Sequence, residues 1–200
     1  MDKSLEGIIS LVDKGTVEQR CAAVLVLGAL KVNNAAVVKT VGALLDNTNP
    51  VLKDFALRYF EEVQPKNSLA QLLKMLDDPD KDMQERAVRS LGGAGQPAVQ
   101  LLLQGVEGAS RVWQLNAARV LCQVRGTAAM KGLLQLLAGG TDETNRILCD
   151  LMTPALREMD AREQDALFDE VESFAGKLDA KQQRPALVSA MRLLGQLGRP

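Results

Sequence analysis

A single frame recurs along the chain: RCAAVLVLGAL from Arg20, KDFALRYFEEV from Lys53, QERAVRSLGGA from Gln84 and QLNAARVLCQV from Gln114. Each opens on a polar residue, carries a small residue three later and places Leu or Phe at the eighth position. The anchors are Leu27, Phe60, Leu91 and Leu121, with Leu151 read as the fifth and Leu194 as the sixth. A second motif keeps step, ending apolar stretches at Val12, Leu45, Leu76, Val106 and Leu137. Self-similarity at a period near 30 residues restricts the chain to a repeat architecture, in which each unit buries its apolar face against its neighbours.

Within a unit the apolar residues fall at i, i+3, i+4 and i+7, as in SLAQLLKML and AAMKGLLQLL, the spacing of amphipathic helices. No segment alternates polar and apolar residues as a strand does. The breaks carry helix-start chemistry: capping boxes at Thr16 with Gln19 and at Asp160 with Glu163, and first-turn prolines at Pro50 and Pro97. The expected product is an all-α, right-handed α-solenoid of about six antiparallel helix pairs. It is one domain over 1–200, with repeats at 1–33, 34–65, 66–95, 96–126, 127–159 and 160–200.

This pattern resembles the HEAT-like repeat family, of the type also found in phycobilin lyases. LLKMLDDPDKDMQERAVRSLGGAG is the clearest copy, with its leucines, Asp-Pro-Asp turn and Leu-Gly ending. The Arg usual at the start of the second helix is present as Arg20, becomes Lys53, and gives way to Gln84 and Gln114. The last unit also carries an insertion of about 12 residues around REMDAREQD.

Composition excludes several functions. Lys and Arg number 24 against 25 Asp and Glu, so no bulk positive field draws nucleic acid or an anionic membrane. With no histidine, Ser-His-Asp and Cys-His catalysis are ruled out, and a mixed Cys/His zinc site has no imidazole. Cys21, Cys122 and Cys149 lie in apolar helical patterns and read as reduced core residues. The longest apolar run is too short to cross a bilayer and the N-terminus has no secretory pattern, so the expected location is cytoplasmic. No cofactor and no metal is expected.

Three motifs look like sites and read better as structure. Gly93-x-Gly95-x-x-Ala98 matches a dinucleotide-binding turn in spacing, but QERAVRS before it is helical and no strand feeds it. Gly95 is expected instead to end one helix in the left-handed conformation, with Pro97 starting the next. Asp78, Asp80 and Asp82 have calcium-loop spacing, yet Met83 and Arg89 stand where the turn glycine and the bidentate Glu belong. Asp13, Asp46, Asp77 and Glu107 precede Arg20, Lys53, Gln84 and Gln114 by seven residues, which predicts a repeated acid-to-base contact between helices.

Two residues before each second-helix anchor stand Leu25, Arg58, Arg89, Arg119, Cys149 and Arg192. The family resemblance implies that second helices line a concave face, where Arg58, Arg89 and Arg119 would form a ladder beside Phe55, Tyr59, Arg86, Trp113 and Asn116. That composition suits recognition of another protein: an acidic or phosphorylated segment, or a helix. A non-catalytic interaction scaffold is the leading reading, with self-association or continuation into a further repeat open at the C-terminal unit. The alternative is an enzyme on the same scaffold, a DNA alkylpurine glycosylase or a phycobilin lyase, with Trp113, Asp54 and Asp150 the residues to inspect.

Overall fold

A computed structural model describes residues 3–65, 68–106 and 108–198. Among them the chain forms twelve α-helices and no strand, as the periodicity predicts. It divides into two compact units, Met1–Ser90 and Leu91–Pro200.

The first unit contains α1 (Lys3–Lys14), α2 (Val17–Ala29), α3 (Ala35–Gly42), α4 (Pro50–Val63), α5 (Leu69–Lys74) and the larger part of α6 (Lys81–Ala94). Short 3₁₀ turns, Ala43–Asp46 and Met75–Asp77, tighten the ends of α3 and α5. Thr16 and Gln19 form the expected capping box on α2, and Asn49 caps α4 ahead of Pro50. These caps satisfy amides that would otherwise lack partners at the first turn. Val12, Leu27, Leu45, Leu57, Phe60 and Leu76 are the fully buried centre.

In the second unit lie α7 (Gln96–Gly105), α8 (Arg111–Val124), α9 (Gly126–Gly139), α10 (Asp142–Arg157), α11 (Ala161–Lys177) and α12 (Arg184–Leu197). Asp160 and Glu163 close the capping box on α11. Leu91 and Leu121 are fully buried, as the frame requires. The frame shifts beyond them: Leu151 is only half-buried, whereas Met152 is fully buried. Met152 holds the eleventh position of its helix, as Leu121 does in α8. Likewise Leu193, not Leu194, is the buried leucine of α12. With the register corrected, Asp150 replaces Cys149 and Met191 replaces Arg192 two residues before the anchor, and Cys149 belongs to the core.

The expected acid-to-base contact takes a different form. The fourth residue of a helix reaches back to the backbone carbonyls of the preceding turn or helix end. Arg20 donates to Val12 O at 2.8 Å, Gln84 to Asp78 O at 2.6 Å, and Gln114 to Ala109 O at 3.2 Å. Asn145 donates to Leu137 O at 2.9 Å and Gln164 to Leu156 O at 3.3 Å. Carbonyls left open where a helix ends need donors, so any residue with a reaching N–H serves. That is why Arg gives way to Gln and Asn without loss of the device. Lys53 departs from it and pairs with Asp78 at 2.6 Å, while Asp46 pairs with Lys74. Glu107 lies outside the described residues.

Asp78 and Asp80 also shape the turn before α6: Asp78 Oδ1 accepts from Asp80 N and Asp80 Oδ1 from Asp82 N. Gly95 links α6 to α7 with φ 68° and ψ −140°. This corrects the expected left-handed helical geometry: the φ is positive, but the ψ belongs to a region open essentially to glycine alone. Cys21 and Cys149 are buried and Cys122 is half-buried, all as free thiols.

Candidate functional site

The amphipathic frame of α4 and α6 settles which of their side chains can meet a partner. On α4, Leu52, Ala56, Leu57, Tyr59 and Phe60 point into the core and leave Val51, Arg58 and Glu62 exposed. On α6, Met83, Ala87 and Val88 are buried, which turns Asp82, Glu85 and Arg89 outward. Spacings of three and seven residues place these last three along one line of the helix surface.

Between the helices runs an open groove of about 890 Å³, lined by Pro50, Val51 and Asp54 of α4, Asp80 before α6, and Asp82, Met83, Glu85, Arg86 and Arg89 of α6. Val51 is 48% exposed and Met83 nearly buried, so the walls hold apolar as well as charged surface. Arg86 bridges the two helices. Its Nη2 donates to Glu61 Oε2 at 2.8 Å, its Nε to Glu61 Oε1 at 3.1 Å, and its Nη1 to Asp54. The hydrogen bonds to Glu61, foremost, and those to Asp54 hold the guanidinium above its ordinary pKa against the opposing effect of burial. A fork fixed on both sides braces the groove and is spent on that task.

Arg58 and Arg89 remain on the surface. Arg58 Nε stands 3.9 Å from Glu62 Oε1, both side chains half in solvent. Arg89 lines the groove and makes no ion pair among the described residues. Phe55 is half-buried on α4.

Three of the expected contact residues are interior, which corrects their reading as outward side chains. Tyr59 is 1% exposed, lies edge-on to Phe60 with ring centres 5.3 Å apart, and donates its hydroxyl to Val32 O. Trp113 is 9% exposed; a Cβ on Gly105 would come within 3.0 Å of its Cζ2, so the indole lies against bare backbone. Asn116 is buried and accepts a hydrogen bond from Arg119 Nη1 at 3.2 Å. A ring that fills the gap beside an anchor is removed from any partner. Arg119 is half-buried beside Asn116, and Arg192 pairs with Asp150 at 2.8 Å.

In the sequence Asp80 and Asp82 read as turn residues, Asp54 stands out only for the enzymatic alternative, and Glu85 carries no reading of its own. The signal that finds them is the line Asp82, Glu85, Arg89, taken as a face of α6 instead of as parts of separate motifs.

A family model described as HEAT repeats matches residues 38–109 and 69–149. None of the curated proteins matches the chain significantly. Similar solved structures include an engineered protein, 18% identical, with 98% of this chain and 97% of that chain covered and a TM-score of 0.46. A designed armadillo repeat protein is 14% identical, with 97% and 100% covered and a TM-score of 0.44. Another, solved in complex with the peptide (KR)4, is 12% identical, with 98% and 100% covered and a TM-score of 0.45.

Proposed function

Since the chain belongs to the HEAT repeat family, we propose that it is a non-catalytic interaction scaffold that holds a segment of another protein in the groove between α4 and α6. The observation that carries this reading is the groove itself: open, framed by two helices and pinned by Arg86 against Asp54 and Glu61. A surface already rigid loses little entropy when a partner settles on it. Arg89 in the groove's lining, and Arg58 exposed on α4 outside that lining, supply planar donors that pair with carboxylate or phosphate through two hydrogen bonds. Val51 and Met83 give apolar contact within the groove.

The enzymatic alternative fits the same residues less well. A glycosylase needs an aromatic platform for a displaced base, whereas Trp113 is packed inside α8's core face. Its carboxylate candidates are engaged, Asp54 by Arg86 and Asp150 by Arg192. The balanced charge supplies no field for a duplex. Three reduced thiols fit a cytoplasmic setting, and among the described residues no helix is long and apolar enough to cross a membrane.

Selection of a phage-displayed random peptide library on the intact protein tests the reading. Recovered peptides are expected to lose at least about tenfold in affinity, or ~1.4 kcal/mol, on the double variant Arg58→Glu, Arg89→Glu. Peptides that bind that variant as well as the parent would place the binding surface elsewhere.

A further inference from the structure

We infer that the α4–α6 groove selects a segment carrying charges of both signs, with Lys or Arg at the Asp80–Asp82 end and Asp, Glu or a phosphorylated residue at the Arg89 end. This rests on the interaction reading above and names the chemistry of the partner. A uniformly acidic segment, the partner that an arginine ladder would take, meets a groove lined by four carboxylates, Asp54, Asp80, Asp82 and Glu85, against two guanidinium groups. Those groups are not mixed evenly. Asp80 and Asp82 sit at the start of α6, Glu85 one turn on, and Arg89 after a second turn.

Arg86 lies between the two ends, yet it does not blur them. Its side chain is 18% exposed and its guanidinium is paired with Asp54 and Glu61. The bridge neutralises Asp54 as well, so the charge at the ends of the groove is carried by Asp80 and Asp82 at one and by Arg89 at the other. The positive end of the α6 dipole softens the field of Asp80 and Asp82 without reversing it. Pro50, Val51 and Met83 add apolar surface to the same lining.

Spacing follows from helix geometry. Seven residues at about 1.5 Å each separate Asp82 from Arg89 by roughly 10 Å along the axis. An extended partner covers that in about three residues at 3.3 Å each, a helical partner in about seven. A basic residue, one or two apolar ones and an acidic residue therefore satisfy both ends at once. A segment of one sign gains at one end and is repelled at the other, since like charges brought together in a partly desolvated groove oppose binding.

The same random peptide library, sequenced after selection, reads this out. On the parent protein the enriched peptides should place Lys or Arg and Asp or Glu three to four residues apart, or about seven apart in helix-forming sequences. On Asp82→Lys the basic position should turn acidic while the other is kept. A peptide taken from the parent selection should lose about tenfold on that variant, and its Lys/Arg→Glu derivative should recover binding there. Asp82→Asn provides a milder change should the charge-reversed variant fold poorly, with a loss of about threefold expected. Enriched peptides of one sign that still depend on Arg89 would overturn this inference and leave the groove reading intact. Peptides indifferent to every groove variant, or no enrichment at all, would overturn both.

Discussion

Equivalent positions of the repeat face different fates in the two units. In the first, Arg58 and Arg89 stand in solvent and Arg86 is the residue spent on bracing. In the second, Arg119 is drawn half inside onto Asn116, and the next position is Asp150, engaged by Arg192. The repeat thus fixes where a side chain emerges; the neighbours decide whether it is available. An arginine beside a buried amide becomes part of the packing, and one beside open groove remains a contact.

Trp113 offers the strongest way to break the comparison. If it were a contact residue, Trp113→Ala would spare stability and weaken binding. Because the indole fills the space over Gly105, the substitution should instead cost about 3–5 kcal/mol, read from the urea midpoint at unchanged slope. A change under about 1 kcal/mol would return the indole to the surface.

Alkaline titration separates a thiol of the second unit from a phenol of the first. Burial raises the Cys122 thiol from 9.0 to about 11 in the second unit, and the Tyr59 hydroxyl from 10.0 to about 12 in the first. Both groups are neutral when protonated, so above its ordinary pKa the unfolded chain gives up a proton that the native chain keeps. Stability is therefore fully present below pH 9 and falls through pH 9–11 for Cys122, then through pH 10–12 for Tyr59. Cys122 should contribute up to about 3 kcal/mol to the earlier decline, and Cys21 of the first unit and Cys149 of the second, whose thiols burial also raises, add to it. Cys122→Ala should therefore reduce the earlier decline and leave the later one, as followed by stability against pH.

The repeat, the helix class, the caps and most anchors were legible in the sequence, because burial demands periodicity and helix starts demand a small set of residues. Leu151 was misread for a physical reason: ILCDLM offers four large apolar side chains within six residues, and only packing shows that Leu148 and Met152 take the interior. The site was less legible. An aromatic on a helix is equally suited to core and contact, so Tyr59 and Trp113 could not be assigned before their neighbours Val32 and Gly105 were in place. Asp13, Asp46 and Asp77 suggested acid-to-base pairs, since a sequence displays side chains and hides the carbonyls that Arg20, Gln84 and Gln114 in fact seek.

Arginines of the first unit sharpen the contrast at smaller scale. Arg86→Ala removes the bridge and leaves Asp54 and Glu61 facing one another, which should cost about 1–2 kcal/mol. Arg89→Ala should change stability by less than about 0.5 kcal/mol, with its effect confined to peptide affinity. Denaturant melts of the two proteins side by side make this check, and equal losses would mean that Arg89 is structural too.

The smallest effect is expected at Asp150 and Arg192, the second unit's counterpart to an open rung. Both side chains are about half exposed, at 55% and 45%, and their 2.8 Å contact competes with water and salt. Arg192→Ala should therefore cost under about 1 kcal/mol, and less at high ionic strength. Removing the cation also leaves Asp150 as an unpaired carboxylate on a surface that otherwise repeats the frame of Arg58 and Arg89. If pairing is what silences this rung, peptides bearing Lys or Arg should gain binding to Arg192→Ala that Arg192→Ala, Asp150→Asn lacks. Equal binding by the two would show that a repeated position needs the groove beside it, and not just a free charge, to recognise a partner.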